Sequence, residues 1–234
     1  MVTEAGASAR QRYRSLRHRR WRRLVAAAAV AALAALAVVR GWPPPVAVVL
    51  AAVAVTTAAT AVAGEKGRDL DRWRRGAAGE RLTAAVLESL SPRLWSVWHD
   101  LAVPGSPANL DHLVAGPTGV WLIDSKATRA PVEAGWRAVR VGGRRLDVEA
   151  VRWEAETVAA VLETRLGRPV RVRPLVALHA EGLARRGVRC RGVRIVPAAE
   201  VAARVRRGRR RLGRAEIREV CQAVDVGLAP RRSR

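Results

Sequence analysis

Residues 109–126 have the sequence NLDHLVAGPTGVWLIDSK, and this stretch decides the fold. Two apolar runs flank the loop Gly116-Pro117-Thr118-Gly119, and a short loop of Gly and Pro between apolar runs predicts a β-hairpin. Pairing Ala115 with Val120 fixes the register of the whole hairpin. Residues that lie opposite each other in an antiparallel pair project from the same face of the sheet. The sequence therefore predicts which side chains share a face along both strands.

One face of this hairpin is apolar beside the loop and charged at its far end. The register places Asp111 opposite Asp124, and Asn109 opposite Lys126. Two opposed carboxylates repel each other, more strongly when water is excluded. A shared proton or a divalent cation would relieve the repulsion, and Mg²⁺ or Mn²⁺ prefers such oxygen ligands. The alternative is a solvated strand face, although the apolar neighbours indicate that this face is half-buried.

The composition makes Lys126 informative. The chain has 234 residues and a net charge of +23, yet 41 of its 43 basic residues are arginine, and Lys66 is the other lysine. Part of the arginine excess reflects compositional bias, so an isolated lysine suggests a need for a compact amine that can lose a proton. The basic run 206–211 could contact phosphates, an anionic lipid surface or only solvent.

Composition also excludes several classes of protein. The charge balance excludes an acidic disordered chain, and 50% hydrophobic residues exclude a fully disordered basic tail. Cys190 and Cys221 are the only cysteines, which excludes a disulfide framework, and no Cys/His cluster suggests zinc. A nucleic-acid binder, a membrane-surface protein or a combination of both remains.

Glu80 adds a third carboxylate to the candidate site. The sequence predicts a helix over Asp71–Leu90, in which successive residues advance by about 100°. The residues on the same stripe as Glu80 are Trp73, Ala77, Thr83, Ala84 and Leu87. A carboxylate on a stripe that faces the sheet needs a partner. The alternative is that Glu80 lies at the rim and extends into solvent.

Other polar residues have simpler explanations. His112 and Trp121 project from the face opposite to Asp111, so core packing explains both. Glu154 and Glu156 lie on a predicted helix, where a salt bridge with Arg152 or the helix dipole explains both.

The remainder of the sequence after residue 64 predicts an α/β domain. Strands are expected at 94–101, 136–141, 144–148, 170–178 and 192–196, and helices at 150–166, 197–206 and 214–226. Gly142-Gly143 predicts a tight hairpin turn, and Gly167 is placed to end a helix. We therefore expect a mixed sheet core flanked by helices.

Three segments together resemble the nuclease-related domain, NERD, a family in the PD-(D/E)XK nuclease superfamily. They are Gly79-Glu80, Leu110–Val114 and Gly119–Lys126. The resemblance covers about residues 73–180 and implies a restriction-endonuclease-like fold. The family has an acidic residue on a first helix, Asp on one strand and Asp/Glu-x-Lys on the next. The matching residues are Glu80, Asp111, Asp124 and Lys126. The family more often has Glu, one methylene longer, where Asp124 stands.

This resemblance implies a metal-dependent nuclease. Glu80, Asp111 and Asp124 would bind one or two Mg²⁺ (or Mn²⁺) ions, and the backbone carbonyl of Ser125 would assist them. The metal would activate a water for attack on a phosphodiester bond of DNA. Lys126 would orient or deprotonate that water and offset the developing negative charge. The alternatives are a non-catalytic nucleic-acid-binding module and a membrane-surface interaction module on the same fold.

The N-terminal part predicts a membrane anchor. Residues 1–23 are basic, and two charge-free apolar runs follow at 24–39 and 46–63. A spanning helix needs about 20 apolar residues, and Trp21 and Trp42 flank the first run as interfacial anchors do. A cleaved signal peptide and a soluble Ala-rich helical hairpin are the alternatives. Arginines before and after the two runs predict that both termini are cytoplasmic.

The sequence thus divides into a basic leader, two transmembrane helices in a hairpin, a nuclease-related domain and a C-terminal extension of that domain with a basic tail. The expected bounds are 1–23, 24–63, 64–180 and 181–234. The protein is expected to be a multi-pass protein of the cell membrane. Its globular domain would lie in the cytoplasm and bind nucleic acid, with DNA as the expected partner.

Overall fold

The computed structural model describes residues 7–63, 67–106, 108–135 and 138–228. The chain divides into two units, Ala9–Arg74 and a second formed mainly by Arg75–Arg234. The first unit contains the two apolar segments. The second contains a mixed α/β structure with a six-stranded sheet.

The first unit is built from two helices joined by a short turn. Helix α1 spans Ala7–Val39, so the described part of the basic leader and the first apolar run form one continuous helix. Gly41 turns the chain with φ = 67°, a value that glycine adopts without strain. Helix α2 spans Pro44–Ala63, and its prolines lie in the first turn, where their missing N–H groups are tolerated.

Among the described residues, only α1 is long and apolar enough to cross a membrane. Its segment Trp21–Val39 has 19 residues and a mean hydropathy of 2.0. The apolar segment of α2 extends over Pro44–Ala59, short of the roughly 17 residues that a span requires. The second predicted transmembrane helix is therefore not confirmed. A signal sequence would satisfy the same length and composition test as α1.

Small side chains are buried in this unit and large apolar ones are exposed. The buried residues of the two helices are Ala27, Ala34, Ala37 and Ala54. The exposed ones include Val25, Leu33, Leu36, Val39, Val48, Val49 and Val55. Burial of small residues beside an apolar exterior is typical of helices covered by lipid or by a partner protein.

Helix α3 spans Gly67–Leu87, and its part from Arg75 onward belongs to the second unit, which continues into the sheet. Its large sheet contains β1 (Ser96–Ala102), β2 (Asn109–Gly116), β3 (Gly119–Ala127), β7 (Val172–His179), β8 (Val188–Cys190) and β9 (Val193–Pro197). A small sheet contains β4 (Val132–Ala134), β5 (Val139–Val141) and β6 (Arg144–Arg145). The helices after β6 are α4 (Glu149–Leu166), α5 (Val201–Arg206) and α6 (Arg214–Gly227). The expected mixed α/β class is confirmed.

The strand order of the large sheet is β1-β2-β3-β7-β9-β8. Strands β1 to β3 form an antiparallel meander, β7 lies parallel to β3, and β9 lies parallel to β7. The parallel pairing of β3 with β7 requires a crossover, which the small sheet and α4 provide. Helix α4 ends where predicted, because Gly167 has φ = 64° and its N–H donates to the carbonyl of Glu163.

Two hydrophobic clusters cover the two faces of the large sheet. Leu113, Leu122 and Val176 pack with the apolar residues of α4 and α6 on one face. Trp121 and Ile123 pack with residues of α3 and α5 on the other face. The domain is therefore a three-layer structure, with helices on both sides of the sheet.

The predicted hairpin register is correct over the loop-proximal half of the hairpin. The ladder extends from Gly116 opposite Gly119 to His112 opposite Ile123, and it ends there. The expected pairs beyond this point, Asp111 with Asp124 and Asn109 with Lys126, are therefore wrong as ladder pairs. On its other edge, β2 stays paired with β1 as far as Asn109, which lies opposite Ala102.

The physical reason lies in the alternation of β2. Leu110 and Leu113 are three positions apart, yet both belong to the α4 side of the core, so strict alternation fails between them. Asp111 lies in this irregular segment.

Several other elements differ modestly from the expected ones. The helix expected over Asp71–Leu90 spans Gly67–Leu87, and the strand expected at 144–148 is limited to two residues. The first two residues of the strand expected at 136–141 lie outside the described residues. The helix expected at 197–206 begins with a 3₁₀ turn, Ala198–Glu200, before α5.

Candidate active site

Asp111 accepts a backbone hydrogen bond where the β2–β3 ladder stops. The N–H of Ser125 donates to Oδ2 of Asp111 at 2.7 Å. Because β2 leaves β3 at this point, that N–H would otherwise need another acceptor. The Asp111 carboxylate replaces a ladder carbonyl and is thereby fixed against β3.

Asp124 and Lys126 lie two residues apart on β3, so they project from the same face. Lys126 Nζ lies 2.7 Å from Asp124 Oδ1. The side chain of Asp124 is 12% exposed, whereas that of Lys126 is 44% exposed. The other carboxylate oxygen, Asp124 Oδ2, is buried and has no hydrogen-bond partner among the described residues.

Glu80 lies on the buried stripe of α3, as the helical spacing predicts. It is 8% exposed, so the alternative of a solvated rim position is wrong. The described members of the same stripe are also buried: Ala77, Thr83, Ala84 and Leu87. Leu87 packs with Trp121, so α3 covers the face of the sheet opposite to that of Leu122. The negative charge of Glu80 nevertheless raises the pKa of Asp111.

The electrostatics of Asp111 link the four predicted residues. Burial raises the pKa of Asp111 well above its usual value, and the negative charges of Asp124 and Glu80 raise it further. The positive charge of Lys126 and the Ser125 N–H act in the opposite direction. The structure therefore brings the three carboxylates and the lysine into one electrostatic cluster.

The charge on Lys126 is stabilised by this cluster. Burial by itself lowers the pKa of Lys126, but the charge of Asp124, the hydrogen bond to Asp124 and the charge of Asp111 together raise it above its ordinary value. Lys126 is therefore an ammonium donor in this state, and proton abstraction by its amine is disfavoured at neutral pH.

Glu154 of α4 is a residue of the cluster that the sequence interpretation missed. Burial, and then the negative charge of Asp124, raise the pKa of Glu154 to about 7. The expected salt bridge with Arg152 is wrong for Glu154 and confirmed for Glu156. Arg152 pairs with Glu149 at 2.6 Å and with Glu156 at 3.6 Å.

The signal for Glu154 was present in the helical spacing. Val151 and Val158 of α4 are buried, and Glu154 lies three residues after the first and four before the second. It therefore occupies the stripe that faces the sheet, by the same argument that identified Glu80.

A buried polar chain lies behind the cluster, on the α3 side of the sheet. His112, fully buried, contacts His99 through Nδ1 at 2.7 Å and Ser125 Oγ through Nε2 at 3.1 Å. Ser125 Oγ donates to Thr83 Oγ1 at 2.9 Å, and Thr83 Oγ1 lies 2.8 Å from His179 Nε2. His112 is thus a core residue with both ring nitrogens satisfied. Burial and the neighbouring histidines lower its pKa well below the ordinary value, which favours the neutral ring.

Trp121 is a core residue, as expected. It is 3% exposed, and its indole N–H donates to Thr118 Oγ1 at 3.0 Å.

The donor set suits a hard divalent cation by its chemistry. Three carboxylates and one lysine interact through their charges, and Asp124 Oδ2 is a buried acceptor without a protein donor among the described residues. A cation would neutralise the repulsion that raises the pKa of Asp111. Among the described residues, however, no group of three or more His, Cys, Asp or Glu side chains is arranged closely enough to hold a metal ion. The chemistry fits Mg²⁺ or Mn²⁺, and the ligand geometry is not formed in this conformation.

A mixed sheet with helices on both faces and an acidic cluster beside a lysine corresponds to the nuclease-like α/β class that the sequence resemblance implies. Residues 75–179 match the family model described as the nuclease-related domain, NERD. The match supports assignment of this domain to the NERD family and a nuclease-like function in general. It includes Glu80, Asp111, Asp124 and Lys126. No curated protein and no solved structure matches the chain significantly.

Proposed function

We propose that this protein is a metal-dependent nuclease that hydrolyses phosphodiester bonds of DNA. One observation carries the proposal: Asp111, Asp124, Glu80 and Lys126 form one electrostatic cluster within a segment that matches NERD. Perturbed titratable groups gathered around a strand end are a common property of catalytic sites.

Asp111, Asp124 and Glu80 would hold Mg²⁺ or Mn²⁺. When bound, the metal supplies a nucleophilic water and stabilises charge on the scissile phosphate. The N–H of Ser125 orients the Asp111 carboxylate, and Lys126 holds Asp124 while its remaining N–H groups stay available to a phosphate oxygen. Because its ammonium form is stabilised, the role of Lys126 is to orient and neutralise rather than to remove a proton.

A cleavage assay tests the proposal directly. Full-length protein, purified in detergent, is incubated with linear duplex, circular duplex and single-stranded DNA, and with RNA, in Mg²⁺, Mn²⁺ or EDTA. Metal-dependent cleavage that is lost in Asp124→Ala is expected. Cleavage that persists in EDTA, or that is equal in Asp124→Ala, would trace the activity to a contaminant and refute the site.

A non-catalytic nucleic-acid-binding module is the second candidate. One observation favours it, namely that the described carboxylates are not arranged as a ligand group. The net charge of +23 supports binding to phosphates in either case. Salt-sensitive DNA binding with no cleavage of any substrate would select this candidate, and an affinity that stays flat with salt would argue against both.

We further propose that the N-terminal unit anchors the protein in the cell membrane as a helical hairpin, with the globular domain in the cytoplasm. The exposed apolar side chains of α1 and α2 support this proposal. In α2, the hydroxyls of Thr56 and Thr57 donate to the carbonyls of Ala52 and Val53 at 2.7 Å, so their donors are satisfied within the helix, as lipid requires. Recovery of the full-length chain from the soluble fraction without detergent would contradict the anchor.

A further inference from the structure

A cleft lined by six arginines lies on the α5 face of the sheet, opposite to the face from which Asp124 and Lys126 project. Its volume is about 320 Å³. The arginines are Arg171, Arg173, Arg189, Arg194, Arg204 and Arg211. Trp121 lies at the base of the cleft and belongs to the α5 side of the core, whereas Leu122, and by alternation Asp124, belong to the α4 side.

The sheet itself places four of these arginines together. Arg189 of β8 and Arg194 of β9 are direct cross-strand partners. Arg173 of β7 is the partner of Trp121 on β3, and its guanidinium lies 4.9 Å from the centre of the indole ring. Arg171 comes immediately before β7 and also lines the cleft. Strands β7, β8 and β9 thus each contribute an arginine to the cleft.

The remaining wall is a built structure rather than a loose loop. Arg204 comes from α5, and Arg211 comes from the segment that follows it. The backbone N–H of Arg211 donates to the carbonyl of Pro117 at 2.7 Å, and Thr118 Oγ1 donates to the carbonyl of Val205 at 2.6 Å. These bonds join the β2–β3 loop to both ends of the wall and hold Arg204 and Arg211 over the sheet.

Within the described ranges of the chain, the six cleft arginines converge without a compensating carboxylate, whereas four other arginines of the domain are paired. Arg152, Arg168, Arg185 and Arg191 each form an ion pair with a glutamate. Among the described residues, none of the six cleft arginines forms an ion pair with a carboxylate. Arg204 Nε is also buried without a hydrogen-bond partner in the described part of the chain. A compositional bias toward arginine explains their number, but it does not explain their convergence.

Such a cluster is unfavourable without an anion. Like charges that lie directly opposite each other on neighbouring strands destabilise a sheet. Burial, and then the positive charges of Arg204 and Arg189, lower the pKa of Arg194. A ligand with several closely spaced negative charges would relieve the repulsion and satisfy the unpartnered donor.

We propose that this cleft binds a compact oligophosphate, a ligand with two or more adjacent phosphates, either free or as the phosphate chain of a nucleotide. Guanidinium groups recognise phosphate oxygens through paired N–H donors. The concave shape favours a small ligand, because a rigid duplex can direct only isolated backbone phosphates into a cavity of this size. The proposal does not depend on the nuclease function, since no residue that lines the cleft belongs to the acidic cluster.

Isothermal titration calorimetry tests the proposal on full-length protein in non-ionic detergent with EDTA at constant ionic strength. The probes are inorganic triphosphate, ATP, GTP, sulfate and a short DNA duplex. Triphosphate is expected to bind at least about tenfold more tightly than sulfate, since it offers several charge-assisted hydrogen bonds. Binding of ATP or GTP beyond that of triphosphate identifies a nucleotide, and equal binding identifies the phosphate chain alone.

The double variant Arg194→Gln/Arg204→Gln should weaken triphosphate binding by about tenfold or more. The matched control is Arg93→Gln/Arg218→Gln, which removes two exposed arginines outside the cleft and should leave the affinity within about twofold. Asp124→Ala should also retain binding. If the double variant fails to fold, Arg189→Gln at the exposed edge of the cleft takes its place.

Thermal unfolding supplies a second measurement. Triphosphate should raise the Tm of the wild type and of the control, but not that of the cleft variant. Equal affinity for triphosphate and sulfate, or equal losses in the cleft and control variants, would overturn the proposal. If the cleft variant loses duplex binding while triphosphate does not bind the wild type, the surface is a nucleic-acid contact and the proposal is also overturned.

Discussion

Lys126 Nζ lies 2.7 Å from Asp124 Oδ1, while Asp124 Oδ2 is buried without a hydrogen-bond partner among the described residues. One oxygen of the carboxylate is thus neutralised by the chain, and the other is available to a ligand. The ion pair is partly exposed, so its contribution to stability is small. Its importance lies in the orientation that it gives to Asp124.

Lys126→Arg tests whether a compact donor is needed at this position. The substitution retains the positive charge, but the planar guanidinium is larger and has a different donor geometry. We expect the cleavage rate to fall by about 10²–10³-fold, as when a transition-state donor is removed. The Tm should change little, because the side chain is 44% exposed. Activity close to that of the wild type would reduce Lys126 to a simple counter-charge.

The pH profile of cleavage separates the two roles of Lys126. Since the neighbouring carboxylates raise its pKa, Lys126 stays protonated between pH 6 and about 9. The cleavage rate of the wild type and that of Lys126→Arg should therefore depend on pH in the same way over this range. A pH-dependent change in the wild-type rate that is absent from Lys126→Arg would assign proton transfer to the amine.

Asp124→Ala should abolish metal-dependent cleavage without unfolding the domain. The substitution removes one of the negative charges that raise the pKa of Asp111, so it relieves repulsion in the folded state. We expect a Tm equal to or above that of the wild type, measured in EDTA. Asp147→Ala is a contrasting variant. Asp147 precedes α4 and accepts backbone hydrogen bonds from Glu149 and Ala150, so its removal should lower the Tm. A large fall in the Tm of Asp124→Ala would show that the carboxylate is mainly structural.

Glu154 gives the domain a specific dependence of stability on pH. Its pKa is raised to about 7 in the folded state, against an ordinary value of 4.5. The folded protein therefore binds more protons than the unfolded chain between these values, and stability falls as pH rises through this window. Glu154→Gln should remove that loss, so the variant should gain Tm relative to the wild type at pH 8 and gain nothing from this effect at pH 4.

Denaturation in EDTA at pH 4, 6 and 8 measures this difference. Glu156→Gln is the matched control, since Glu156 is exposed on the same helix and pairs with Arg152. Parallel pH curves for wild type and Glu154→Gln would contradict the assignment of Glu154 to the cluster.

The buried polar chain behind the cluster should be a source of stability. Thr83→Val keeps the shape of the side chain but removes the hydroxyl that links Ser125 to His179. Leaving these buried partners unsatisfied should cost about 1–3 kcal/mol in the free energy of unfolding. Thr164→Val on the exposed side of α4 removes a hydroxyl bonded only to the carbonyl of Ala160, so its cost should be smaller. If urea denaturation shows equal losses of unfolding free energy in the two variants, the buried polar side chains add no more stability than a surface hydrogen bond.

The acidic cluster was predictable from local spacing because each residue belongs to a regular element. Glu80 follows from the 3.6-residue period of α3, and the pair Asp124 and Lys126 follows from the two-residue period of β3. The position of Asp111 was predicted less well, because the ladder ends at His112 and the alternation of β2 fails beside it. A one-residue irregularity of this kind depends on packing with β1 and has no local signature.

Long-range relationships account for what the sequence did not predict. The arginine cleft requires the pairing of β8 with β9 and the position of α5, neither of which is contained in any single segment. The buried polar side chains between His99 and His179 likewise connect distant residues, since Thr83 and His179 are 96 positions apart. By contrast, the helical spacing does place Glu154 on the buried stripe of α4. It was assigned to a salt bridge instead, because Arg152 lies two positions away.

The number of membrane spans can be decided with single cysteines. Trp42→Cys lies in the exposed turn between α1 and α2, and Ser91→Cys is exposed in the globular unit. In a hairpin with both ends cytoplasmic, a membrane-impermeant maleimide added to intact cells should label only the first. A single span through α1 with a cytoplasmic N-terminus would expose both positions to the reagent, because α2 would not return the chain. A single span of opposite orientation, or a soluble hairpin, would protect both until the cells are lysed.

Cys190 is buried and Cys221 is half-buried, so replacing both with Ala or Ser first removes their background labelling. Labelling of Ser91→Cys in intact cells would therefore exclude the cytoplasmic location that nuclease action on the cell's own DNA requires.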